Sequence, residues 1–308
     1  MPLMRDKRIL ITGASGFIGR HLAEKLRISG AQIHTLTRSP VRNMPEAVQH
    51  LGDIRNQQAV TNAVDESNPE FIFHLCAYKN RLPDLGEFAP AIETNLTGTL
   101  NLVSAVKSLQ QLRSIIVVGT AEEYGNNPTP FREGMREQPV TAYSFSKLCQ
   151  TQLCQTLTRL HGLPIAVLRP TIAYGPGQGE EMFLPALIKK LLRNERFDMT
   201  AGMQTRDFVH VSDVVDAMVS AALCQDATGE ILNIGGGQPV PIAKVALMIE
   251  KMLDKSGLVQ LGALNYRVGE IMNYYVNSDK ARDLIGWQPR IALEQGLKET
   301  VDYFREES

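Results

Sequence analysis

Tyr143 and Lys147, in Tyr-Ser-Phe-Ser-Lys, stand four residues apart, so on a helix they share one face and an ammonium can sit beside a phenol. A free phenol ionises near pH ~10 and exchanges protons poorly at neutrality. A neighbouring positive charge favours the phenolate and brings it toward the working range. A second group of residues, Gly13-Ala-Ser15-Gly16-Phe17-Ile18-Gly19, spaces its glycines three apart twice over. Without side chains at Gly13 and Gly16 the backbone can turn tightly and approach phosphates, while Gly19 lets the next helix lie close on the preceding strand. With a helix N-terminus behind it, such a loop suits the pyrophosphate of a dinucleotide.

The elements that must hold these groups follow from the apolar pattern. Runs at Ile9 to Thr12, Gln32 to Leu36, Phe71 to Leu75, Ile115 to Gly119 and Ile165 to Arg169 predict strands. Helices are predicted after Gly16, where Phe17, Ile18, Leu22 and Leu26 repeat at helical spacing, and over Gln57 to Val64, Ala91 to Leu109 and Tyr143 to Leu160. This alternation predicts an α/β fold with a doubly wound parallel sheet of the Rossmann kind. It breaks down after Gly175-Pro176-Gly177, where helices near Leu184 to Leu192 and Ile242 to Leu253 predict a smaller α/β lobe. The expected division is a dinucleotide-binding domain over 1–170 and a substrate lobe over 171–308, with room for a strand to return to the first domain. Trp287 is expected to anchor the core of the small lobe.

Thr120, which ends the apolar run from Ile115, completes a set with Tyr143 and Lys147 that resembles the catalytic Ser/Thr, Tyr and Lys of the extended short-chain dehydrogenase/reductase family. The glycine spacing is similar too. Gly52-Asp53-Ile54 resembles that family's adenine-contact turn, Phe73-His74-Leu75-Cys76-Ala77 the strand flanking the nicotinamide ribose, and Thr94-Asn95-Leu-Thr-Gly98 its central asparagine helix. The resemblance implies a cofactor site of Gly13, Ser15, Gly16, Phe17, Ile18, Gly19, Asp53, Ile54, Leu75, Ala77, Lys79, Asn95, Tyr143 and Lys147. It implies that Tyr143 exchanges a proton with a carbonyl or alcohol oxygen as hydride is transferred. Thr120 would orient that oxygen, and Lys147 would also hold the ribose hydroxyls. Leu168-Arg169-Pro170, Tyr174 to Gly177, Arg206-Asp207 to Asp213, Asn233 to Gly236 and Gly286-Trp287-Gln-Pro289 look like the nucleotide-sugar branch. In that branch Arg206 and Arg267 match positions that hold the substrate diphosphate, whereas Ile172 replaces a frequent asparagine.

At the end of the second strand, about 20 residues past the glycine loop, an acid would hold the ribose hydroxyls of NAD. This chain has Arg38, whose planar fork suits a 2′-phosphate, so NADP(H) is expected over NAD(H), with Arg42 assisting. In Thr120-Ala121-Glu122-Glu123-Tyr124-Gly125, Ala121 stands where a 4,6-dehydratase carries an acid, and Glu122 is left as a further catalytic candidate. The string is similar to 4-keto-6-deoxyhexose reductases. The expected activity is therefore NADPH-dependent reduction of the C4 ketone of a nucleotide-linked 4-keto-6-deoxyhexose. A 4-epimerase or a 4,6-dehydratase with bound NAD is the alternative, and a non-catalytic NADP-binding protein is less favoured. The resemblance also implies a homodimer through the helices of Asn95 and Tyr143, with Leu148, Leu153 and Leu157 at the contact.

The 308 residues, 44% hydrophobic with a formal charge of -1, suit a large-cored globular enzyme and give no basic field for nucleic acid. The four cysteines, Cys76, Cys149, Cys154 and Cys224, lack paired metal-ligand spacing, so no metal is expected and free thiols in a reducing compartment are. No apolar run approaches membrane-spanning length or a signal sequence, so a cytoplasmic location with no membrane partner is expected.

Overall fold

A computed structural model of the chain describes residues 4–41, 44, 46–82, 84–107, 109–267 and 269–307. The apolar runs form β1 (Arg8–Thr12), β2 (Gln32–Thr37), β4 (Phe71–His74), β5 (Ser114–Val118) and β6 (Ile165–Pro170), and a short strand β3 (Val48–Leu51) adds an edge. Ile9, Leu10 and Ile11 are fully buried, as a parallel strand covered on both faces requires. With β11 (Ile231–Ile234) these strands make a seven-stranded sheet in the order β11-β6-β5-β4-β1-β2-β3, every neighbouring pair parallel. The winding runs outward from β1 to β3, then restarts on the other side of β1 at β4. That reversal opens a crevice at the carboxyl ends of β1 and β4.

Helices cover both faces. On one side α1 (Phe17–Ile28), α7 (Val211–Leu223) and α9 (Asp279–Ile285) pack Leu22, Leu26, Val214, Met218 and Ala281 against the sheet. On the other, α2 (Gln57–Ser67), α4 (Gly98–Ala105) and α5 (Ala142–His161) supply Val60, Val64, Leu102 and Cys154. The helix expected over Ala91 to Leu109 is interrupted: α3 (Phe88–Ala91) runs into a π-helical turn (Ile92–Thr97) before α4 begins. Such bulges collect at functional sites, and this one turns Asn95 fully inward.

The smaller lobe has its own core where α6 (Phe183–Leu192), α8 (Ile242–Met252) and α10 (Leu293–Glu306) meet, around Leu187, Leu191, Ile249, Leu297 and Phe304. Three two-stranded pairs edge it: β7 (Ile172–Tyr174) with β10 (Phe208–His210), β8 (Phe197–Asp198) with β13 (Val259–Gln260), and β9 (Thr205–Arg206) with β12 (Val240–Pro241). Trp287 is a buried anchor, but in the other core. It packs in the cluster of α1 and α7, and its indole Nε1 donates to the Asp213 carbonyl of α7 at 2.8 Å. A terminal segment that folds back on the first helical layer thus places its aromatic there and not in the lobe nearest in sequence. Leu157 packs into the α2–α4 core, whereas Leu148 and Leu153 remain half-buried on α5. No helix among the described residues is long and apolar enough to cross a membrane.

Candidate active site

A cleft of about 490 Å³ lies at the carboxyl ends of the sheet strands, and its walls bring the two distant sequence signals together. The glycine loop with Ser15, Phe17 and Ile18 forms one end, Arg38, Asp53 and Ile54 line the rim, and Leu75, Ala77 and Lys79 follow β4. Thr120, Glu122, Tyr143 and Lys147 line the other end, where Ile172 and Gln178 of the smaller lobe face them.

The dinucleotide end is shaped by what its glycines lack. Gly13 has φ +75°, and a Cβ there would stand 2.7 Å from the Cys76 amide nitrogen. A Cβ on Gly19 would collide with the Gly13 carbonyl. Gly16 caps α1 without a side-chain hydrogen bond, so the first amides of the helix are open toward the cleft. This cradle fits a pyrophosphate. At the rim Asp53 accepts from Arg55 Nε at 3.0 Å and Nη2 at 2.8 Å, and the Arg55 guanidinium holds that carboxyl below the usual range.

At the other end burial dominates. It pushes the Tyr143 phenol well above its ordinary range; Glu122 adds to the rise, while Arg81 and Thr120 oppose it. Burial lowers the Lys147 ammonium to about 8, with Glu123 partly offsetting. The ammonium is not turned to the phenol: Lys147 Nζ donates to Gln150 Oε1, one turn further along α5. The cation over the Tyr143 ring is instead Arg81, 4.9 Å from the ring centroid. Arg81 Nε donates to Glu122 Oε1 at 2.7 Å, which gives that carboxylate a partly exposed ion-pair partner.

The remaining polar atoms form one chain whose direction is fixed by counting protons. Thr99 Oγ1 donates its single hydrogen to the Asn95 carbonyl at 2.7 Å. It must therefore accept from both Gln150 Nε2 at 2.6 Å and His74 Nε2 at 2.9 Å. His74 then carries its proton on Nε2, and its Nδ1 accepts from Thr12 Oγ1 at 2.7 Å. Burial and the Lys147 charge push His74 down to about 3, which keeps the ring neutral as this pattern requires. Thr12 ends β1 beside the glycine loop, so the chain ties that loop to α5, the helix of Tyr143 and Lys147. Asn95 is buried and does not line the cleft. It braces the loop after β4 by bonding both backbone polar groups of Tyr78 and reaches Ser146 Oγ at 2.8 Å.

The two expected diphosphate arginines are not at the cleft. Arg206 is tied to Glu270 and donates to the Thr205 and Ile271 carbonyls at 2.8 Å. Arg267 is exposed. Arg42 falls outside the described residues. Arg81, Arg55 and Glu181 line the cleft without having been singled out in the sequence, where each is an isolated loop charge with no spacing to mark it.

The model of the NAD dependent epimerase/dehydratase family matches residues 9–235, and the chain belongs to that family. It is 26% identical over 314 residues to a UDP-glucuronate 4-epimerase of Thermodesulfobacterium geofontis, covering 96% of each chain. It is 28% identical over 324 residues to a dTDP-glucose 4,6-dehydratase of Xanthomonas campestris, covering 96% of this chain and 92% of that one. Among solved structures, the UDP-glucuronic acid 4-epimerase of Bacillus cereus with UDP-glucuronic acid and NAD superposes with a TM-score of 0.88 at 27% identity, over 97% of this chain and 99% of that one. These findings overturn the expectation of NADP, because the family and its solved relative use NAD. The physical reason lies at the rim. Arg38 is exposed there, where water solvates its charge, so the guanidinium needs no 2′-phosphate to balance it.

Proposed function

Proceeding from that family membership, we propose that the chain is a nucleotide-sugar 4-epimerase that retains NAD through its cycle. The observation that carries this reading is the grouping of Tyr143 with Thr120 and Lys147 at one end of the cleft, beside a residue, Ala121, that offers no acid. Tyr143 stands with Thr120 and Lys147, Ala121 is buried and offers only a methyl, and the Glu122 carboxylate is engaged by Arg81. Epimerisation needs one proton exchanged at one oxygen. Dehydration needs a further acid for the leaving hydroxyl and a base for the adjacent C–H.

Gly13, Gly16 and the open amides of α1 would hold the NAD pyrophosphate, and Asp53 with Ile54 the adenosine end. When bound, NAD supplies a reversible hydride acceptor, so a carbinol can become a ketone and return with no net redox change. Tyr143 takes the C4 hydroxyl proton and gives one back to the ketone oxygen after the planar carbonyl has turned its other face, which is what inverts C4. Thr120 holds that oxygen in line with the phenol. With NAD in place of NADP, reduction of a 4-keto-6-deoxyhexose loses its main support.

The test supplies UDP-glucose, UDP-glucuronate and dTDP-glucose to the NAD-loaded protein and follows sugar signals by NMR alongside nicotinamide absorbance. Appearance of a C4 epimer without accumulated NADH is expected, and Tyr143→Phe should lower it at least about 10²-fold. Formation of a 4-keto-6-deoxy sugar would overturn the reading in favour of the dehydratase. Turnover that survives Tyr143→Phe would remove the tyrosine from its role.

A further inference from the structure

The charges around Tyr143 are arranged differently from a simple tyrosine-lysine pair. Its own helix contributes Lys147, whose ammonium goes to Gln150. The turn after β5 contributes Thr120, Glu122 and the buried Glu123, and the C-terminal lobe contributes the buried Tyr274. The loop after β4 contributes Arg81. That loop is anchored twice upstream of the arginine, through Tyr78 to Asn95 and through Lys79, 3.6 Å from Glu181 across the cleft. Asn80 Oδ1 accepts from the Leu82 amide at 3.1 Å and turns the backbone around Arg81. The guanidinium therefore sits over the phenol ring with one edge on Glu122, and both charges face the cleft.

Resting on the reading of Tyr143 as the proton-exchanging group, we propose that Arg81 and Glu122 are opposed positioning residues that set how readily the phenol gives up its proton, the guanidinium promoting ionisation and the carboxylate restraining it. A cation near a phenol stabilises the phenolate and an anion destabilises it, by amounts that fall with distance and solvent access. Arg81 and Glu122 are both partly exposed, so each acts through a partly screened field.

This arrangement makes a prediction that a merely structural ion pair does not share. Removing either member of a structural pair breaks the same contact and disturbs Tyr143 in the same direction. Removing opposed charges moves the phenol in opposite directions. The measurement replaces Tyr143 with 2,3,5,6-tetrafluorotyrosine, whose four ring fluorines acidify the phenol enough to offset the rise that burial imposes, and follows the fluorine shift against pH in the otherwise unchanged full chain. Arg81→Met should raise the midpoint by about half to one pH unit, and Glu122→Gln should lower it by a similar amount. The double variant should return close to the parent. Shifts of the same sign in the two single variants, or no shift in either, would overturn the proposal. Because this reading needs no turnover, it is separate from the epimerase assay: absence of epimerisation with opposite shifts would leave the electrostatic roles standing and remove only the assigned reaction.

Discussion

Glu122 and Glu123 are neighbours on one short turn, yet each meets an arginine in a different medium. Glu123 points into the protein, where its Oε2 accepts from Arg169 Nε at 2.8 Å and from Thr151 Oγ1 at 2.8 Å, with both ion-pair side chains fully buried. Its Oε1 accepts from the Thr120 amide at 2.9 Å. Glu122 points outward, to an arginine that is 44% exposed. The buried pair is locked because neither charge has water to fall back on, and it also fixes the backbone of Thr120 at the cleft. The outer pair is weakly held, and what it retains is a field over the phenol. Adjacent residues of one chemical type therefore divide between holding the site and tuning it.

The largest effect should come from breaking the inner side. Glu123→Leu leaves Arg169 with Glu137 alone, 2.7 Å away, and frees the Thr120 amide. Stability should fall by about 3–5 kcal/mol in urea unfolding. A loss under about 1 kcal/mol would mean that the two neighbouring pairs do not differ as described.

A smaller, pH-dependent effect should come from Lys147, which belongs to both sides, buried yet lining the cleft. Its folded-state value of about 8 lies below the ordinary 10.5. Between these pH values the unfolded chain binds the extra proton, so stability rises with pH. Relative to Lys147→Met, the parent should gain about 2–3 kcal/mol across that window, measured by urea unfolding at several pH values. A flat difference would place the ammonium in a better-solvated setting.

The smallest effect should come from the outer pair. Glu122→Gln should change stability by less than about 1 kcal/mol while still moving the Tyr143 titration. A loss as large as that of Glu123→Leu would erase the distinction between the two glutamates.

Much of the frame was legible locally. The run Ile9-Leu-Ile and the glycines after it specify a strand, a tight turn and a helix within one short segment, and the structure realises all three. The small strand β3 escaped notice because four residues on a sheet edge, exposed at both ends, carry no apolar run. Helix α7 escaped because its polar stripe is narrow, Ser212, Asp216 and Ser220 standing alone along an otherwise buried and largely apolar run. Arg38 was visible, but its residue type alone did not settle the cofactor, since a guanidinium exposed at the rim is satisfied by water.

By itself the sequence determined the α/β alternation and the tight glycine turn into α1, and it marked Thr120, Tyr143 and Lys147 as candidates, because strand periodicity, glycine spacing and helical spacing act over a few residues. The tertiary structure alone decided which cation faces the phenol. Lys147 can reach Tyr143 or Gln150 from the same helical face, and Gln150, itself fixed to Thr99 and through it to His74, takes the ammonium. Arg81 meets Glu122 across 41 residues of chain, a pairing that no local spacing encodes. Charges act through space, and only the fold fixes the distances over which they do so.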